Sequence, residues 1–234
     1  MKIWHISDTH MHHNHLVVPD EIDIVIHSGD ATNFRDPYRN DVEMKSFLEW
    51  YAGLDIKNKI FVAGNHDTSI EKGLTKKEYI EDLGIRYIYM DTIEVAGYKV
   101  WGSPYCPRYK DWAFMKDRSK MMKKVWDFMD LSADIIVTHT PPYGFLDLTD
   151  RYISDSNGIT RTRILEHAGC KSLFKKIKES SAKLHCFGHI HNTKDVWNAG
   201  TFKPTNMNVL FSQASCCRDS CSKRMRYNGN IIDL

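Results

Sequence analysis

The chain has 234 residues, of which 42% are hydrophobic and 12% aromatic, and its 32 Lys and Arg against 30 Asp and Glu leave a formal net charge of +2. The apolar content excludes global disorder, and a nearly neutral chain has no global attraction to nucleic acid or anionic membranes. No stretch approaches the ~20 apolar residues of a membrane-spanning helix, and the length fits one domain over residues 1–234.

The N-terminus has the pattern of a first strand and not that of a secretory leader. Residues 1–8 lack an apolar core and a small-residue cleavage site, so we expect a cytoplasmic protein whose six cysteines are reduced thiols. The spacing of Cys216, Cys217 and Cys221 differs from the paired C-x-x-C of zinc sites. It therefore favours thiols in a loop or near the core over a metal site.

Short strands and amphipathic helices alternate along the chain. Between two predicted strands at 22–26 and 59–63, apolar residues from 42 to 51 share one helical face, and Gly53 is the expected end of that helix. A capping-box spacing at Thr75 predicts the start of the next helix, and Ala96-Gly97 predicts a hairpin turn over 93–100. Further helices are predicted at 76–83, 119–129 and 170–178. Further strands are predicted at 134–138, 184–187, 208–211 and 229–232.

Five segments that follow predicted strands carry residue types that bind metals. In open α/β sheets the ligand crevice lies beyond the carboxyl ends of the strands, and histidine, of which the chain has twelve, is the commonest metal ligand. Each motif is weak alone, but together they place carboxylate, imidazole and amide ligands at successive strand ends, with glycines where the backbone turns tightly. The segments are Asp8-x-His10, Gly29-Asp30, Gly64-Asn65-His66-Asp67, His139 and Gly188-His189-x-His191.

This ordered set resembles the calcineurin-like metallophosphoesterases, whose pattern is D-x-H, G-D, G-N-H-[DE], H and G-H-x-H. The chain looks most like the small metallophosphoesterase-domain proteins of the brain 239 type and their microbial and viral relatives. The likeness runs nearly end to end and includes residues 101–105, 138–144 and 231–234. It implies a four-layer α/β/β/α sandwich of two mixed β-sheets.

The resemblance also implies a site for two divalent metal ions. It gives the first ion the ligands Asp8, His10, Asp30 and His191. It gives the second ion the ligands Asp30, Asn65, His139 and His189, so that Asp30 bridges the two. Mixed nitrogen and oxygen ligands suit Mn, Fe, Zn or Ni, and the resemblance favours Mn or Fe. A water between two such ions is acidified to hydroxide near neutral pH.

His66 is not a ligand in this resemblance. It faces the phosphate, stabilises the developing charge and helps to protonate the leaving oxygen. Asp67 either orients the His66 ring or is an ordinary turn residue.

Three further histidines and a basic group have two interpretations each. His12, His13 and His15 either are solvated or meet the anionic group of the substrate at the rim of the site. The arginines in the segment after His139 either are solvated in a loop or attract an anionic substrate; they are Arg151, Arg161 and Arg163. We expect interior or supporting roles for the remaining histidines, which are His5, His27, His167 and His185.

The expected reaction is hydrolysis of a small phosphodiester, above all a cyclic nucleotide, by in-line attack of a metal-bound hydroxide. The expectation of a cyclic nucleotide rests on the resemblance alone, because no residue of the sequence indicates recognition of a nucleobase. The alternatives are a broader phosphatase, a nuclease and a metal-dependent binding module without catalysis. We expect a small phosphodiester or nucleotide as the partner, with no membrane and no extended nucleic acid, because the near-neutral charge disfavours tracking along DNA.

Overall fold

A computed structural model describes residues 1–118, 120–154, 161–193, 195–218 and 224–234. Its strands are β1 (Lys2–Ile6), β2 (Ile24–His27), β3 (Asn58–Phe61), β4 (Ile85–Tyr87), β5 (Asp91–Val95), β6 (Tyr98–Ser103), β7 (Cys106–Pro107), β8 (Met115–Lys116), β9 (Ile135–Thr138), β10 (Leu148–Ser154), β11 (Arg161–His167), β12 (Leu184–Phe187), β13 (Gly200–Phe202), β14 (Leu210–Gln213), β15 (Cys217–Arg218), β16 (Arg224–Met225) and β17 (Asn230–Asp233). Its α-helices are α1 (Pro37–Ala52), α2 (Thr68–Glu71), α3 (Lys77–Asp82), α4 (Lys120–Trp126) and α5 (Lys171–Glu179), and a 3-10 helix covers His13–His15. Within these ranges, no helix combines the length and the apolar character that crossing a membrane requires.

Two large sheets are both mixed. The first has the order β17-β1-β2-β3-β4, in which β1 to β4 are parallel and β17 is antiparallel to β1. The second has the order β13-β14-β12-β9-β6-β5, with four parallel central strands between antiparallel edge strands. Because parallel strands end at the same edge of a sheet, the loops after them are brought together.

Three apolar layers lie between the four layers of the molecule. Alternate residues of a strand point to opposite faces, so Trp4 packs toward α1 while its neighbour Ile3 packs toward the second sheet. The outer face of the first sheet is covered by side chains of α1 and α3, including Met44, Phe47, Tyr51 and Ile80. The outer face of the second is covered by side chains of α4 and α5, including Met122, Trp126, Leu173 and Ile177. The predicted α/β/β/α sandwich is confirmed.

Most predicted elements lie close to their observed positions. The predicted strand at 184–187 coincides with β12, and both turn residues of the predicted hairpin, Ala96 and Gly97, have the left-handed backbone that such turns need (φ 50° and 81°). The capping box is wrong. The Thr75 hydroxyl donates to Asp41 at 2.7 Å, and α3 begins without a side-chain cap.

The segment that holds the basic group forms an exposed hairpin of β10 and β11, so the predicted loop is wrong. Its apolar residues Tyr152 and Ile153 face solvent, and the sequence therefore lacks the apolar alternation of a half-buried strand. Its described arginines are paired with acids: Arg151 with Glu166, and Arg163 with Asp150 and Asp195. Outside the described residues lie Ser119, Cys221 and the side chain of Arg161.

Candidate metal centre

The loops after β1, β2, β3, β9 and β12 meet at one edge of the two sheets. A hydrogen bond joins the sheets there, because Nδ1 of His139 donates to the Ser28 carbonyl at 2.8 Å. A second bond joins the loops after β12 and β1, because the backbone N–H of His189 donates to Asp8 Oδ2 at 2.9 Å. All the predicted ligands lie at this edge and are buried or half-buried: Asp8, His10, Asp30, Asn65, His139, His189 and His191.

Four of these residues have a backbone in the left-handed region. The φ angles are 52° for Asp8, 43° for His10, 58° for Asp30 and 70° for His189. Such values are uncommon for residues other than glycine, and they persist only where the surrounding structure imposes them. The loops therefore turn sharply at the strand ends, and tertiary contacts fix the directions of the side chains.

The first group of acceptors comes from Asp8, His10 and His191. His191 Nε2 lies 3.1 Å from Asp8 Oδ1 and 3.2 Å from His10 Nε2. His10 Nδ1 lies 3.0 Å from the Thr32 carbonyl. A carbonyl only accepts, so Nδ1 carries the hydrogen and Nε2 of the neutral ring presents its lone pair to the group, as in many metal-binding histidines.

The second group is built in the same way around His139. The Nδ1 donation to the carbonyl of Ser28 leaves Nε2 to face Asn65 Oδ1 at 3.1 Å and Asp30 Oδ2 at 3.3 Å. The His189 ring lies beside it, with 5.0 Å between the ring centroids. Asp30 connects the two groups, because its Oδ2 is also 3.9 Å from His10 Nε2.

The charges at this edge fit divalent cations. Burial opposes a charge on His139, yet Asp30 outweighs it and raises the pKa of the ring to about 9. Burial also opposes the charge on Asp30, whose pKa His139 nevertheless holds well below its usual value. Burial lowers the pKa of His189 to about 3, which leaves a neutral ring that can bind a metal. Two buried carboxylates, Asp8 and Asp30, need positive charge beside them, and cations held among these lone pairs would add to the charge of His139.

Two motif glycines allow the loops to approach one another. Gly29 has a φ of 108°, and a Cβ there would lie 2.5 Å from His139 Nδ1. A Cβ on Gly188 would collide with Asp8 Oδ2 and Ser7 Oγ. The sequence predicted tight turns or close approach to an ion at such glycines, and the structure shows close approach to ligand-bearing residues.

The family model for calcineurin-like phosphoesterases matches residues 1–193 of the chain. The chain belongs to this family. Its members are metal-dependent phosphoester hydrolases, in agreement with an edge built from carboxylate, imidazole and amide acceptors.

Two curated relatives are 29% and 30% identical to the chain over their aligned residues. Metallophosphoesterase domain-containing protein 1 of Homo sapiens is 29% identical over 227 residues, which cover 87% of this chain and 64% of the relative. UPF0046 protein C25E10.12 of Caenorhabditis elegans is 30% identical over an alignment of 248 residues with its gaps, and the alignment covers 98% of this chain and 79% of the relative. The chain thus spans less than two thirds of the human relative.

Asp67 braces two of the ligand loops. Its Oδ2 accepts from the backbone N–H of Asp30 at 3.0 Å and of Gly64 at 2.7 Å, and its Oδ1 accepts from Ala31 and Thr32. Asp67 was expected either to orient the His66 ring or to be an ordinary turn residue. These contacts favour a turn residue, and its side chain is fully buried. Its carboxylate ties the Gly-Asp turn to the Gly-Asn-His-Asp turn.

Sequence reasoning missed two residues that support the loops from behind. Ser215 Oγ donates to Asp8 Oδ2 at 2.8 Å. Asn40, buried in α1, donates to the His66 carbonyl at 2.8 Å. One signal was available, because Asn40 is a polar residue on the helical face that also carries Met44 and Phe47.

An aromatic ladder beside His66 was also missed. The Trp112 ring lies 4.0 Å from the His66 ring, centroid to centroid, and the Arg35 guanidinium lies 5.3 Å from the Trp112 ring. On another side, the His10 ring meets the His66 ring edge-on at 4.8 Å. The imidazole of His66 thus lies between a proposed ligand and an indole.

One of the three histidines predicted at the rim lies elsewhere. His13 is buried, and its ring packs on Trp50 at 4.9 Å and on Phe47 at 5.5 Å. The rim prediction for His13 is wrong, because the 3-10 turn directs this ring into the core beside α1. His12 is half-buried and His15 is exposed, and their contact with substrate stays a prediction.

The supporting roles expected of His5, His27 and His185 are confirmed. Burial lowers the pKa of each ring to about 3, so all three are neutral. Each ring pairs with a hydroxyl: His5 with Ser212 and Ser28, His27 with Thr9, and His185 with Thr138. The interior position expected of His167 is wrong, because its ring is exposed in the hairpin, where it pairs with Asp147 at 2.6 Å.

Proposed function

We propose that the protein is a two-metal phosphodiesterase that hydrolyses a small phosphodiester, with a cyclic nucleotide as the leading substrate. The observation that carries the proposal is the position of Asp30. Its carboxylate lies between His10 and His139, one ring from each group of acceptors, at 3.9 and 3.3 Å. This position suits a carboxylate that bridges two ions.

The first ion would be held by Asp8, His10, Asp30 and His191, and the second by Asp30, Asn65, His139 and His189. When bound, two such cations polarise phosphate oxygens and acidify a water molecule. We take Mn²⁺ or Fe as the resident metals on the family resemblance, with Zn or Ni as alternatives. Hydrogen bonds from Nδ1 of His10 and His139 to backbone carbonyls hold these rings in position without a bound ion.

His66 is the proposed general acid. Its backbone N–H donates to Asp30 Oδ1 at 2.6 Å, and its ring lies between those of His10 and Trp112. The ring is half-buried, so a substrate at the metal centre can reach it. From there it would stabilise charge on the phosphate and give a proton to the leaving oxygen. His12 and His15 would meet the substrate at the rim.

We further propose a single domain over residues 1–234 in the reducing environment of the cytoplasm. The antiparallel pairing of β17 with β1 supports the first statement, because it places the C-terminal strand in the first sheet. Four buried cysteines that form no disulfide support the second: Cys106, Cys170, Cys186 and Cys216.

The test is a substrate panel with Mn²⁺-loaded protein. It compares cyclic nucleotides, bis-p-nitrophenyl phosphate, dinucleotides, oligonucleotides and phosphopeptides. We expect turnover of cyclic nucleotides and of bis-p-nitrophenyl phosphate. Turnover of phosphopeptides or oligonucleotides alone would reassign the chain as a phosphatase or nuclease, and metal binding without any turnover would leave a binding module.

Two variants separate metal binding from proton transfer. Asp30→Ala should lose both the metals and turnover. His66→Ala should keep the metals and lose about 10²–10⁴-fold in rate, the usual contribution of a general acid. His167→Ala, in the exposed hairpin, is the matched control and should keep both. Full activity in either of the first two variants contradicts the proposed site.

A further inference from the structure

A buried thiol lies beside the second proposed ion. The sulfur of Cys106 and ring nitrogens of His139 and His189 all lie within 4.8 Å of one another. Cys106 and His139 are completely buried. We propose that Cys106 is an additional ligand of the second ion, an inference that rests on the two-metal site proposed above.

The backbone holds this thiol at the site. Cys106 opens β7, which pairs with β8, and its N–H donates to the Phe114 carbonyl at 2.9 Å. Its thiol donates to the Pro104 carbonyl at 3.7 Å. A thiol is a weak donor, so little is lost when Sγ turns to a cation instead.

Other buried cysteines have different surroundings. Cys170 Sγ accepts from the Trp126 indole at 3.3 Å, and the Cys216 thiol donates to the Ala214 carbonyl at 3.2 Å. Both belong to hydrophobic clusters, where a buried cysteine behaves as a small apolar side chain. Cys106 differs because two imidazoles share its neighbourhood.

A sulfur ligand would make the two ion sites chemically unequal. Thiolate favours softer metals such as Zn²⁺ or Fe, whereas the carboxylate and imidazole ligands of the first site also suit Mn²⁺. Binding requires the thiolate, so the Cys106 thiol gives its proton to solvent as the second ion binds. The structure therefore predicts that the second site selects a softer metal than the first.

Cobalt substitution tests the proposal directly. Protein loaded with two Co²⁺ per chain should show a sulfur-to-cobalt charge-transfer band in the near ultraviolet, which nitrogen and oxygen ligands do not give. Cys106→Ser should lose this band and keep the first ion. Cys170→Ser, the matched control, should keep the band. A band absent from the wild type, or unchanged in Cys106→Ser, overturns the inference.

A second measurement needs no variant, in case Cys106→Ser does not fold. X-ray absorption of the zinc-loaded wild type should show one sulfur per two zinc ions at about 2.3 Å. A spectrum in which all the neighbours of zinc are nitrogen or oxygen would overturn the inference. If the protein binds two ions and hydrolyses bis-p-nitrophenyl phosphate without sulfur ligation, this inference alone is wrong. If the protein binds no ions, the proposed function is wrong as well.

Discussion

The loops of the metal centre and the β10–β11 hairpin use the same kinds of residues in opposite ways. In the loops, acids and histidines are buried and held by backbone groups, as Asp67 is by four N–H donors. In the hairpin, Arg151 and Glu166 form an exposed ion pair. A buried, hydrogen-bonded carboxylate is costly to disturb, whereas an exposed pair contributes little. Burial, and not residue type, determines how much each region is destabilised by a substitution.

The largest effect is expected from Gly188→Ala. The added methyl group would collide with Asp8 Oδ2 and Ser7 Oγ, and overpacking of this kind costs about 1–3 kcal/mol. Because Asp8 must move, we expect loss of metal binding and of turnover, measured by metal analysis and activity. Gly53→Ala is the control, since a Cβ there meets its neighbours at an ordinary 3.4 Å. Normal metal content in Gly188→Ala would contradict the close approach.

The next effect comes from Asp67→Asn. The new amide would turn donors toward backbone N–H groups, and each orphaned buried donor costs about 1–3 kcal/mol. We expect a lower free energy of unfolding and a metal affinity reduced by about 10–100-fold, the usual result of losing a residue that positions ligands. Chemical denaturation and metal titration measure the two quantities.

Asp147→Asn provides the comparison for that variant. Asp147 is also fully buried and accepts from the N–H of Gly144 at 3.0 Å and of Gly169 at 2.9 Å, but at the base of the hairpin. It should lose stability and keep its metal affinity. An equal loss of affinity in both variants would show that Asp67 acts on stability alone.

A smaller effect is expected from Trp112→Ala. Removing the indole leaves the His66 ring without its stacking neighbour, and aromatic pairs contribute about 0.5–1.5 kcal/mol. The turnover number should therefore fall by about 2–10-fold while the metal content stays constant. Trp197→Ala, at an exposed indole, should leave both unchanged. A change in KM alone would place Trp112 in substrate binding instead.

The smallest effect is expected in the hairpin. Arg151→Gln removes the exposed pair with Glu166, and such pairs contribute about 0–1 kcal/mol. The free energy of unfolding should change by no more than that, with turnover unchanged. A clear rise in KM for an anionic substrate would restore the role in substrate attraction considered for this arginine.

Local pattern accounts for what could be predicted. The strand predicted at 22–26 and the turn at Ala96-Gly97 follow from β-branched composition and from turn chemistry, which act over a few residues. The ordered ligand motifs could also be found, because each lies within four residues of sequence. The β10–β11 hairpin was missed because Tyr152, Ile153 and Leu165 face solvent. Its sequence therefore lacks the alternation of apolar and polar residues by which a half-buried strand is predicted.

The sequence by itself therefore determined most of the strands and helices of the two large sheets and their outer layers, the family resemblance and the residue types available to hold metals. Only the tertiary structure decided which of these residues meet. It brings Asp8 to His191 across 183 positions, buries His13 against Trp50 and places the Cys106 sulfur beside two imidazoles. The physical reason is that periodicity and turn chemistry are local, whereas a metal site depends on where distant strands end.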